Sequence, residues 1–90
     1  MEKYNIIISR CTLVNNKEDS PSKVIGFTVQ DFDGTNQIYH EASLQLNEFQ
    51  GKTDEECVEL AFLRLSSSIA MSVNKIKNTS PVVGSFYIPS

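Results

Sequence analysis

Tryptophan is absent from this 90-residue chain, histidine occurs once, cysteine twice, proline three times and glycine four times. The two cysteines, Cys11 and Cys57, stand far apart and show no metal-ligand spacing, so neither a disulfide framework nor a zinc site is expected. Long apolar runs are missing as well. Ile6-Ile7-Ile8 is bracketed by Asn5, Ser9 and Arg10, far short of the roughly 20 residues of a membrane span and unlike a secretory leader. Reduced thiols, both placed in the core by their apolar neighbourhoods, in a cytoplasmic setting are the expectation. Basic residues are few and scattered: eight Lys and Arg face eleven Asp and Glu, for a net charge of -3. Since Lys and Arg supply most nucleic-acid affinity, a nucleic-acid partner is not expected.

What remains suits one small folded domain spanning residues 1–90. Apolar residues make up 40% of the chain and include five Phe, enough to offset chain entropy. Asn, Ile, Lys and Ser are plentiful, which hints at an AT-rich genome such as a bacterial or phage one.

Alternation predicts strands at residues 4–13, 24–32 and 38–46. In the second, Ile25, Phe27 and Val29 share a face. Asp33-Gly34 then marks a hairpin turn, because that turn requires positive φ. In the third, Ile38, His40, Ala42, Leu44 and Leu46 alternate with Tyr39, Glu41, Ser43 and Gln45. Residues 82–88 predict a fourth strand. Between the last two lies a helix that begins at Thr53, an N-cap whose capping box closes with Glu56, and ends near Asn78 and Pro81. Val58, Ala61, Phe62, Leu65, Ile69, Val73 and Ile76 form its core stripe. The fold class is therefore α+β, in the order β-β-β-α-β, with four mainly antiparallel strands and one long amphipathic helix on a face. In that arrangement the last strand lies beside the first, and strand one is central, which accounts for Ile on both its faces.

Motifs that carry chemistry are sparse. Asp31-Phe32-Asp33-Gly34-Thr35 is similar to the phosphate-transfer motif of haloacid-dehalogenase-type enzymes, in which the first Asp is the nucleophile and the second a general acid. The similarity stops after those residues. That family needs a longer parallel α/β domain and downstream Lys and acidic groups, whereas here an alternating strand follows. As a calcium loop the stretch also fails, with Asn36 where glycine is needed and Ala42 where the bidentate Glu belongs. His40 faces inward on strand three, so a nucleophilic pair with Cys57 is conceivable, the thiolate gaining from the helix N-terminus. An enzyme or small-ligand binder centred on His40, Cys57 and the Asp31/Asp33 turn is thus the alternative reading. No catalytic constellation, metal site or cofactor is expected.

A second helix stripe carries the preferred reading. Leu60, Leu63, Ser67, Ala70 and Met71 lie away from the core stripe, where a helix covering one sheet should be polar. Either a loop around residues 14–22 or Phe49 covers them, or they meet a second copy or another protein. The expectation is a non-enzymatic protein-interaction module, an accessory, regulatory or inhibitor subunit, that pairs as a homodimer through the helix. Glu41, Glu48, Asp54, Glu55, Glu56 and Glu59 form a further candidate surface for a basic partner.

Overall fold

Hydrogen bonding along the Ile- and Val-rich segments produces an antiparallel meander in the order β1-β2-β3: β1 is Tyr4–Val14, β2 Ser22–Asp31 and β3 Gln37–Gln45. This computed structural model describes residues 4–15, 21–80, 83 and 86–89. Two helices follow, α1 over Leu46–Phe49 and α2 over Asp54–Lys77. The fold is α+β, with the long helix packed on an open three-stranded sheet.

The period-2 pattern sets which face of the sheet is covered. Ile25, Phe27, Val29 and Leu44 point toward α2 and are buried there with Cys57, Ala61, Ile69 and Ile76. Pairing places Phe27 opposite His40 and Ile25 opposite Ala42, so the inward face of β3 is the predicted one. On the other face Tyr39 lies across Gly26. A Cβ at Gly26 would fall 2.1 Å from the Tyr39 hydroxyl, so glycine is what lets the ring approach.

The Asp33-Gly34 turn forms, with Gly34 at φ 78° as the turn chemistry requires. Its carboxylates are spent locally. Asp31 accepts from the Asn36 backbone at 3.1 Å and from the Asn36 amide side chain at 2.7 Å, while Asp33 accepts from the Thr35 backbone at 3.1 Å. The Asn36 side chain holds the Asp31 carboxyl below its ordinary pKa.

Helix α2 starts where its cap predicts. Thr53 Oγ1 accepts from the Glu56 N–H at 3.2 Å, and Glu56 accepts from the Thr53 N–H at 3.0 Å. That second bond, a backbone N–H on a carboxylate, lowers the Glu56 pKa. At the far end Asn78 closes the helix with φ -98°, outside the left-handed region. The Thr79 hydroxyl caps the Lys75 carbonyl instead, at 2.8 Å.

Three expectations are corrected. Strand β1 is an edge, not the centre: β2 occupies the middle, and Ile6, Ile7 and Ile8 are exposed on both sides of β1. Leu46 opens α1 rather than extending β3, because Glu48 accepts from the Gln45 N–H at 2.9 Å and turns the chain. The expected fourth strand lies partly outside the described residues. Of its members, Val83 sits in a turn, and Phe86, Tyr87 and Ile88 have no regular structure. Among the described residues the sheet has three strands.

Candidate protein interface

A 24-residue helix over a three-stranded sheet has more circumference than the sheet can cover. The sheet-facing side takes Cys57, Ala61, Ile69, Ser72 and Ile76 into the core, flanked by Val58, Leu65 and Val73. Phe62 sits on the flank, its ring edge-on to Phe27 at 5.5 Å. Sequence periodicity missed Ser72 as a core position, although it is small and follows the same 3–4-residue spacing; Cys57, expected in the core as a thiol, is buried there.

On the opposite side, Leu63 and Met71 remain 65% and 66% exposed. Ser67 and Ala70, also exposed, lie between them. Leu60 belongs elsewhere, half-buried against the core. Phe49 likewise packs on the core rather than over the stripe, so among the described residues nothing covers Leu63 or Met71. A shallow depression of about 360 Å³, lined by Met71, Asn74, Lys75 and Asn78, continues the stripe toward the helix C-terminus.

The six acidic residues do not share one face. Glu41 pairs with Gly26 on the open side of the sheet, where it accepts from Arg10 at 3.3 Å and from the Tyr39 hydroxyl at 3.0 Å. Glu48 is paired with Arg64, Asp54 with Lys23, and Glu56 with the cap backbone. The Lys23 ammonium draws the Asp54 pKa down. Glu55 and Glu59 are the exposed carboxylates of the group with neither an ion-pair nor a hydrogen-bond partner described. No group of three or more His, Cys, Asp and Glu among the described residues is arranged to hold a metal ion.

His40 meets a different partner from the expected one. Its Nε2 lies 2.5 Å from the Ser72 hydroxyl, which in turn donates to the Ser68 carbonyl at 3.1 Å. Ser72 and Cys57 are separated by about 22 Å along the helix axis. The structure therefore holds His40 away from Cys57, and Asp31 and Asp33 are bound up in the hairpin.

The core position expected of both thiols holds for Cys57 alone, because Cys11 lies on the edge strand. Cys57 is fully buried, while Cys11 lies exposed on β1, beside a cleft of about 320 Å³ lined also by Ile8, Asp54, Glu55 and Val58. Partial desolvation, then the neighbouring Asp54 carboxylate, raise the Cys11 pKa. Near neutral pH one thiol is expected to react with a disulfide reagent, more slowly than a free cysteine. The second is expected only after denaturation. A native chain in which both thiols react quickly would contradict this geometry.

Comparison with protein-family models, with curated proteins and with solved structures returns no match. The functional reading accordingly rests on the geometry.

Proposed function

We propose that this protein is a non-catalytic interaction module that self-associates through the outer stripe of α2, in the role of an accessory, regulatory or inhibitor subunit. The observation that carries the reading is the pair of large apolar side chains, Leu63 and Met71, left uncovered on the face turned from the sheet. A two-fold axis between Ser66 and Ser67 brings Leu63 of one helix over Ala70 of an antiparallel copy, a large side chain onto a small one. Such large-to-small matching is what an isologous contact requires, since each patch must complement itself. The small Ser67 keeps the helices close enough to exclude water from the leucine.

Leu63→Glu is the direct test. It sets a charge against the partner helix, and because the site is exposed in one copy the fold is not affected. Light scattering should show the solution mass halved, with the circular dichroism spectrum unchanged. Equal masses for wild type and variant, both folded, would sink the proposal.

A further inference from the structure

We infer that the free edge of β1 takes up the C-terminal segment carrying Phe86, Tyr87 and Ile88 from a second copy of the chain, completing the sheet by exchange. Four observations converge on this contact, which is separate from the helix stripe.

The first is the edge itself. β1 bonds to β2 on one side only, and its other row of N–H and C=O groups is unpaired by any described strand. Natural edges are blunted by charge, proline or bulges. Here an irregularity between Ile8 and Arg10 interrupts the strand, but the half before it, Tyr4–Ile8, pairs regularly and carries no charge. Ile6 and Ile8 stand beside Val29 and Phe27 on the helix side, and Ile7 beside Thr28 on the open side. All three isoleucines are exposed. β3, the opposite edge, is protected by its polar Gln37, Glu41 and Gln45 and by α1 at its end.

The second is the segment. Phe86, Tyr87 and Ile88 are 97%, 87% and 84% exposed, so in their own copy they touch almost nothing. Three consecutive large, mainly apolar side chains held in water favour burial against another apolar surface. As an extended strand they alternate as Ile6-Ile7-Ile8 does, with Phe86 and Ile88 on one face and Tyr87 on the other.

The third is where the chain leaves the body. Lys77 Nζ lies 5.3 Å from the centre of the Tyr4 ring, so α2 delivers the chain at the N-terminal end of β1. The eight steps from Asn78 to Phe86 span at most about 26–29 Å, less what the turn at Val83 takes up. A neighbour's edge is within range.

The fourth is direction. Continuing from that end along its own β1, the segment runs parallel to it. When two copies set their β1 edges face to face about a two-fold axis, each segment runs antiparallel to the other copy's β1. Antiparallel ladders are the slightly more stable kind, and all other pairings in this sheet are antiparallel. Exchange also places Phe86 and Ile88 beside Ile6 and Ile8, under the flank of α2 where Val58 and Phe62 are only partly covered.

The test uses the full chain with two changes on the segment, Phe86→Asp and Ile88→Asp together. These residues lie outside the core, so the variant folds, and its solution mass should be half that of wild type. The effect is independent of Leu63→Glu: halving by the segment variant but not by Leu63→Glu keeps this inference and discards the helix contact, and the converse does the reverse. Isotope-filtered NMR on mixed labelled and unlabelled chains gives a second readout. Magnetisation transfer between chains, from Phe86, Tyr87 or Ile88 to Ile6, Ile7 or Ile8, is the expected result. Transfer confined to one chain, or an unchanged mass in the segment variant, overturns the exchange.

Discussion

Phe27→Ala is expected to remove about 3–5 kcal/mol of folding stability, the usual range for emptying a buried aromatic site. A domain of this size has on the order of 5–13 kcal/mol in total, so the loss is a large share of it. Phe27 sits mid-way along the central strand with 2% of its surface exposed, Ile8 beside it on one neighbour and His40 on the other. Its ring meets Phe62 at 5.5 Å and 78° between planes, an edge-to-face pairing that adds about 0.5–1.5 kcal/mol beyond area burial. Phe62→Ala deletes the same pairing from the open flank of the helix, where the site is already partly wet, and should cost about half as much or less. Urea denaturation of the two variants separates the cases. Equal losses would mean that β2 is not the centre of the core.

Ser72→Val is the second large effect. The side chain is 4% exposed, and its hydroxyl is the hydrogen-bond partner of His40 Nε2. Valine keeps the shape but takes away the partner of the half-buried imidazole nitrogen, at a cost of about 1–3 kcal/mol. Replacing both members at once behaves differently, because two apolar groups of matching size need no partner. The double variant His40→Leu, Ser72→Val should therefore recover most of the loss, and the cycle should give a coupling of about 0.5–3 kcal/mol. A double variant as unstable as the sum of the singles would show that the two side chains act separately. The cycle reads His40 as a link between β3 and α2, which is the role its geometry describes.

The route from residues to this arrangement is uneven. Thr53 and Glu56 located the helix start because a capping box is satisfied within one turn of chain, and Asp33-Gly34 located the hairpin because positive φ is a property of the residue itself. The inward rows of β2 and β3 were legible for the same reason, since alternation every second residue is local. Leu63 and Met71 could also be singled out as apolar residues on the wrong side of a helix.

Other features depended on which element lies beside which. The Ile run of β1 reads equally as a strand covered on both faces and as an edge awaiting a partner; only the pairing of β2 with both neighbours decided it. Leu60 counted with the outer stripe on the wheel, yet in the folded chain it is half-buried against the core. His40 was inward in either description, but its partner was a matter of how far along α2 it lands, four turns from Cys57. Composition and short-range patterning thus determined the α+β class, the boundaries of β1, β2, β3 and α2 within a few residues and the surplus apolar face, because those follow from backbone geometry over a few residues. The tertiary structure alone decided the central strand, the partner of His40 and the exposed edge beside Tyr4, because contacts between distant segments are set by packing and have no counterpart in local sequence.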